Sequence, residues 1–478
     1  MIRRCLHIFD RFWWLAACLH AGLTVWLNYL AQYEHGHIPY YKDVARVIAA
    51  GFDPAAAVHH VPTFPMWGYA FFFVATQSRT VILIVQELLA VAATWLVVRQ
   101  VERDQYFAAN TVRLFKAAAV ASTPWWAFHA NIWAAAPAAS LGLLALFSLL
   151  PALQARPSPL RWLVASAALF GLALNFRSDY HLLAVGLWLI LLFSYRFRLF
   201  IVGRMLVWCA VAYALLIPWL LYTKHVTGHC LLSSTNGGAT LFTGLGTLPN
   251  NRWGIQLQDH DPLLHTLLAD RFVGRNSPLY KTPKEYTWPD QWTAFPGAMS
   301  SVDWRADQFL KAEFRRRVTE YPGEFVRKCA RAFYLSIISA GYTGEIYRHV
   351  PFEYDATGET DAFATARKDL LRSPFRFVAR RGWDAAYVLI QIYASVANRV
   401  TIVLSFIALP LVIASALRRR NLLLVLMLTA ILFQLAMTTL VMQQARFTSN
   451  VYLLHVLNVC CAVQLCARVN RRQPKPMG

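Results

Sequence analysis

Residues 80–98, 132–153 and 422–441 are apolar throughout, interrupted only by uncharged polar side chains and a single acid, Glu87. Each matches the roughly 20 residues that an α-helix needs to cross the hydrocarbon of a bilayer. Only helices and closed barrels can span that layer, because every backbone polar group must be satisfied internally. Charged residues make up 15% of the 478-residue chain, against about 25% in ordinary soluble domains. That excludes a soluble enzyme, and the apolar content excludes a disordered or fibrous chain. Lys and Arg number 46 against 25 Asp and Glu, a net charge of +21. No soluble basic domain is present to bind nucleic acid, so the excess is read as topology.

Further spans are expected at 12–31, 114–130, 163–175, 181–195, 205–222, 400–416 and 449–467, giving ten crossings. The first, too long for a signal peptide and without a convincing cleavage site, is read as retained. The stretch 64–77 (FPMWGYAFFFVATQ) is either an eleventh crossing or a re-entrant piece. Placing 1–11, 99–116, 154–162, 195–205, 417–421 and 467–478 in the cytoplasm puts 19 Lys/Arg there. The opposite short loops hold only Lys42, Arg46, Arg177 and Arg446. This positive-inside split makes both termini cytoplasmic and the segment 64–77 re-entrant or interfacial. The expected fold class is an all-α polytopic membrane protein of about 10–12 transmembrane helices. Juxtamembrane helices are expected in the first external loop, together with a mostly helical external domain.

Three regions follow: an N-terminal transmembrane module (1–222) with first external loop 32–63, an external domain (223–398), and C-terminal helices with a basic tail (399–478). The middle region is close to charge balance, with apolar interruptions at 331–341 and 386–396 that read as membrane-associated. A structureless loop of that length would be unusual. Helical spacing of Phe309, Phe314, Val318 and Phe325 marks 304–340 as helix.

The chemistry-bearing residues gather on the external side. Loop 32–63 holds Glu34, Asp43, Asp53, Lys42 and four histidines. Within it YYKDVARVIAAG reads as a short amphipathic helix with Tyr41, Ala45, Ile48 and Ala49 on one face, ending at Gly51 and broken by Pro54. Arg177 and Asp179, in LNFRSDY, and Arg446, in QQARFTSN, lie at outer helix ends, where charge marks function by default. Lys42, Arg177 and Arg446 together suit a phosphate or pyrophosphate; Arg177 is equally well read as a local partner of Asp179. His59–His60 is not a ligand spacing, and His35/His37 lack a third ligand, so no metal site is assigned and a divalent metal is not favoured. Trp125, Trp126, Trp133 and His129 read as interfacial aromatics. Cys230 and Cys329 share the external segment, where a disulfide could form. No Walker, GxSxG or HExxH signature occurs, which argues against a nucleotide-fuelled cytosolic site. External chemistry then needs an activated donor delivered in the membrane, and a lipid-phosphate sugar is the simplest.

In this order the features resemble the GT-C membrane glycosyltransferases, in particular the bacterial branch similar to protein O-mannosyltransferases and lipid A aminoarabinose transferases. Tyr41-xxx-Ala45 leading to Gly51 is similar to the family's juxtamembrane helix. VPTFPMWGYAFFF (61–73) is similar to its Pro-rich segment, and SSTNGGATLFTGLG (233–246) to its external Gly-rich stretch. FLKAEFRRRVTEYPGEFVRK (309–328) resembles the helix that follows, and QARFTSNVYLLHVL (444–457) the start of the late helix. The resemblance implies sugar transfer from a polyprenyl-phosphate donor to a cell-envelope glycan, lipid or protein, on the periplasmic face of a bacterial inner membrane. It implies no firm cofactor and no nucleic-acid partner. The family's acid, commonly four residues before the matching tyrosine, is replaced here by His37. Glu34 lies three residues earlier, and Asp43 follows the tyrosine. Glu34, His37 and Asp43 are therefore the catalytic candidates, with Glu34 or His37 as base. Tyr41, Lys42, Arg177 and Arg446 are the substrate-binding candidates, Arg446 matching the family's late arginine. A lipid-linked glycan polymerase or ligase, or a flippase of lipid-linked sugars, are the competing functions; the internal repeats and broken midplane helices of a transporter are not evident.

Overall fold

The computed structural model describes residues 2–31, 38–57, 63–64, 66–130, 132–154, 160–196, 198–256, 262–275, 277, 300–338, 372–374, 376, 383–441 and 451–470. Among these there is helix and no strand. The N-terminal half contains α1 (Ile2–Ala31), α2 (Ile38–Ala49), α3 (Gly68–Ala75), α4 (Arg79–Arg103), α5 (Ala109–Val120), α6 (Thr123–His129), α7 (Ala135–Gln154), α8 (Leu160–Phe176) and α9 (Tyr180–Ser194). It continues through α10 (Leu199–Ala214) and α11 (Ile217–Thr227). Then come α12 (Gly237–Gly244), α13 (Pro262–Phe272), α14 (Trp304–Glu320), α15 (Pro322–Ile338), α16 (Trp383–Arg419), α17 (Leu422–Leu440) and α18 (Tyr452–Asn470).

Four of these are long and apolar enough to cross a membrane: α4, α7, the part of α16 from Val396, and α17. The pair α10–α11, bent by 49°, makes a fifth if it counts as one broken span. α8, α9 and Tyr452–Arg468 of α18 are shorter apolar helices. The set fits a polytopic membrane protein. α7 carries no charge and is buried almost all round, packed against α4 and α8. α1 is long enough, at 30 residues, but His20, Thr24 and Asn28 dilute its apolar stretch.

Three sequence expectations are corrected. The span expected at 114–130 is two short helices, α5 and α6, broken where Pro124 begins a new first turn. The span at 205–222 breaks before Pro218, which lacks the N–H that would continue α10. The helix expected over 304–340 divides at Tyr321, with Pro322 opening α15. α3 is about 12 Å long and cannot cross a bilayer by itself, in keeping with a re-entrant or interfacial 64–77. The boundary drawn at 398/399 falls inside α16 and the one at 222/223 inside α11, because neither helix is interrupted there.

α15 packs on α17 and α16. Its Lys328 Nζ donates to the last carbonyls of α17, on Thr439 (2.9 Å), Leu440 (2.8 Å) and Val441 (3.0 Å). Those carbonyls have no partner within the helix and carry the negative end of its dipole. Burial pushes the Lys328 ammonium down to about 8 from its ordinary 10.5. Between those values the unfolded chain carries the extra proton, so stability rises with pH. Lys328→Met is expected to cost about 2 kcal/mol by losing charge-assisted bonds. It should also abolish the gain in stability between about pH 8 and about pH 10. Melting of both proteins in detergent across that range checks this; parallel curves would contradict it.

Candidate functional site

α2 forms as the sequence indicates: an apolar face at helical spacing, then Gly51 with φ +73 and Asp53 accepting from Ala55 N–H at 2.9 Å to start the next turn. The buried face is shifted slightly from the expected one. Tyr41 and Ala45 point inward with Ile38, Val44 and Val47, while Ala49 is exposed. Asp43 is buried too, its Oδ1 accepting from Arg46 Nη1 at 2.7 Å. Lys42 lies on the exposed side. Burial, then the nearby Asp43 charge, raises the pKa of Tyr40 above its ordinary value, so this phenol stays protonated at neutral pH.

Tyr41 sits against three other elements. Its ring lies 4.7 Å from that of Tyr69 on α3, and its hydroxyl accepts from Ala134 N–H at 3.3 Å, just before α7. Tyr69 in turn packs edge-on to Phe176 at 5.2 Å. Its hydroxyl donates to Trp133 O at 3.0 Å and contacts Gln86 of α4. α3 reaches α8 this closely because residue 68 is glycine. A Cβ there would lie 2.7 Å from the Phe176 ring and 2.8 Å from Asn175 O. Trp67 Nε1 donates to Asn175 Oδ1 at 2.6 Å, and Asn175 Nδ2 donates to Leu215 O at 3.2 Å, beside the α10–α11 break.

Arg177 and Asp179 occupy the turn between α8 and α9. Nε and Nη2 donate to Oδ1 and Oδ2 at 2.9 and 2.6 Å, a two-pronged pair. The Arg177 side chain is 22% exposed and Asp179 15%. Burial acts to lower the basicity of Arg177, but the charge and hydrogen bonds of Asp179 outweigh it and hold the guanidinium above its ordinary value. Tyr180 and Tyr41 lie within electrostatic reach of the same guanidinium. The Tyr180 ring packs on Gly142 of α7, where a Cβ would meet it at 2.5 Å. The result is an oriented cation at the meeting point of α2, α3, α7 and the α8–α9 turn.

Segment 231–236 touches the start of α9 and the end of the first loop. Leu232 O contacts His181 Nε2 at 3.0 Å. Thr235 Oγ1 lies 3.1 Å from Thr63 Oγ1 of the first loop and 2.5 Å from Val302 O, to which it donates. Tyr40, Phe64 and Val302 form a small apolar cluster beside it. Further along, Asp307 fastens α12 to α14, accepting from Gly238 N–H at 2.6 Å and from Lys311 Nζ at 2.6 Å.

Of the residues expected at the site, Tyr41 and Arg177 come together. Asp43 lies on the same helix but is held by Arg46, and Lys42 faces outward. Glu34, His37 and Arg446 lie outside the described residues, as do the four loop histidines. No group of three metal-ligating side chains occurs among the described residues. Trp125, Trp126 and His129 are fully buried, not interfacial. His129 contacts Trp125 O at 2.9 Å and Ser140 Oγ at 2.7 Å, which gives the ring a structural role. Cys230 and Cys329 are free thiols. Tyr69 and Tyr180 were missed in the sequence because each reads there as packing. Comparison with protein-family models, curated proteins and solved structures finds no match to the chain.

Proposed function

We propose that the chain is a glycosyltransferase of the bacterial inner membrane that uses a polyprenyl-phosphate-linked sugar and acts on the periplasmic side. On the positive-inside reading both termini face the cytoplasm and the loops bearing Tyr41 and Arg177 face outside. The acceptor is a cell-envelope glycan, lipid or protein. One observation carries this reading: three stretches far apart in sequence and singled out for their chemistry are joined through the first loop. Tyr41 of that loop lies within electrostatic reach of Arg177 in the turn, and Thr235 of the Gly-rich stretch contacts Thr63 of the same loop.

In the reaction a first-loop base, Glu34 or His37, takes the proton from an acceptor hydroxyl. The oxygen attacks C1 of the sugar, and the C1–oxygen bond to phosphate breaks. Polyprenyl phosphate leaves with the electron pair. Arg177, pre-oriented by Asp179, stabilises the charge that grows on the phosphate. Lys42 and Arg446 add cationic charge on the same side. Tyr41 shapes the wall beside the guanidinium, and Asp43 pairs with Arg46 one turn along the same helix.

Glu34→Gln and His37→Ala separate the two bases. Release of polyprenyl phosphate is expected to fall by about 100-fold or more in one variant and little in the other, both proteins remaining folded. Normal release in both would remove the first-loop base from the mechanism.

A further inference from the structure

Glu87, in the apolar part of α4, plays no part in the chemistry above. Glu87 is 3% exposed and lies about 12 Å into α4 from its start. Thr24 of α1 donates to its Oε1 at 3.1 Å, sharing that hydroxyl with Ala21 O at 2.7 Å. Its Oε2 has no hydrogen-bond partner among the described residues. A polar atom left so in a spanning helix costs free energy and marks a binding function.

Glu87 lines a groove of about 500 Å³ between α1 and α4. Gly22 and Val25 form one wall, Ile84 and Leu88 the other. Exposed Leu19, Leu23 and Trp26 continue the apolar surface around it. A groove in the flank of a spanning helix opens to lipid, not water. A helix about 10 Å across does not fit inside it, whereas one hydrocarbon chain does. Among the described residues nothing lies within 4 Å of a Cβ built on Gly22.

We propose that this groove is a lipid site in which one hydrocarbon chain lies between α1 and α4 and a hydroxyl on that chain bonds to Glu87. A hydroxyl both donates and accepts, so it satisfies a carboxyl group in either protonation state, which an ester carbonyl cannot do. The ligand class is thus a lipid with a hydroxylated chain. The site does not depend on sugar transfer.

The test uses full-length protein in phosphatidylcholine nanodiscs with two probes. Each is a phosphatidylcholine with a diazirine on one chain; one also carries a hydroxyl on that chain. After irradiation, labelled peptides are identified by mass spectrometry. The hydroxylated probe is expected to label 18–26 and 80–91 about fivefold more than its partner, the value of one net hydrogen bond. Glu87→Leu should reduce it to the level of the plain probe, and Glu87→Gln should not. Gly22→Leu leaves Glu87 in place and fills the open space, and it should block both probes. Equal labelling of wild type by the two probes would overturn the proposal, leaving a groove filled by bulk lipid. So would cross-linking of α1 or α4 to a second protein chain.

Discussion

Replacing Arg177 by alanine is expected to lower sugar transfer by about 100-fold or more, the usual loss when a preorganised charge-stabilising donor is removed. The guanidinium is held at two points by Asp179 and flanked by Tyr41 and Tyr180. It therefore needs no reorganisation as charge develops. Alanine also strands the Asp179 carboxylate, 15% exposed, and loss of one partner of a largely buried pair can cost about 3–5 kcal/mol in stability. Two further variants separate chemistry from folding. Arg177→Lys keeps the charge but not the two-pronged geometry, so it should fold and still lose most of its turnover. Arg177→Ala with Asp179→Ala removes both charges; it should regain stability without regaining activity. Activity in the double variant near that of wild type would reduce Arg177 to a structural partner of Asp179.

Gly238→Ala is expected to destabilise the chain by about 3 kcal/mol, at the upper end of overpacking effects. The added Cβ would stand 2.3 Å from Asp307 O and 3.0 Å from its carbonyl carbon and Cα. These are backbone atoms of α14 and cannot rotate away. Separating α12 from α14 would also pull Phe242 and Leu245 from Ala306 and Leu310 in their shared core. It would lengthen the 2.6 Å bond from Gly238 N–H to Asp307 as well. Gly237→Ala is the control: its nearest neighbour, Lys311 Cε at 3.5 Å, is the flexible end of a side chain. Chemical denaturation in micelles should show a large loss for residue 238 and a small one for 237. Equal losses would mean that the α12–α14 contact is not what holds this region.

How far the sequence could be read follows from which forces act locally. α4, α7 and α17 are unbroken apolar runs, and their presence needs only the period and length of a spanning helix. The breaks at Pro124 and Pro218 were also signalled, since proline opens a helix far better than it continues one; total apolarity hid them. α16 hid in the opposite way. Asp384, Asn398 and Arg399 look like a boundary, yet the helix runs through them. The Arg177–Asp179 pair is two residues apart, so it was legible. That Tyr41 would lie on Tyr69 and near Arg177 was not. Those contacts depend on glycines 68 and 142 bringing helices close, and a glycine in an apolar helix gives no sign of which partner it admits. Trp125, Trp126 and His129 were assigned to an interface for the same reason. Their burial comes from the packing of α6 against α4 and α1, with Ser140 of α7 holding His129, not from their own spacing.

The central claim is transfer from a monophosphate-linked donor. The direct measurement is release of polyprenyl phosphate by purified wild-type protein in detergent, given a panel of polyprenyl-monophosphate sugars and cell-envelope extract as acceptor. Release with at least one donor, dependent on the acceptor and lost in Arg177→Lys, is the predicted result. No release with any donor, while the same protein in proteoliposomes carries labelled lipid-linked sugar across the membrane, would contradict it and make the chain a transporter.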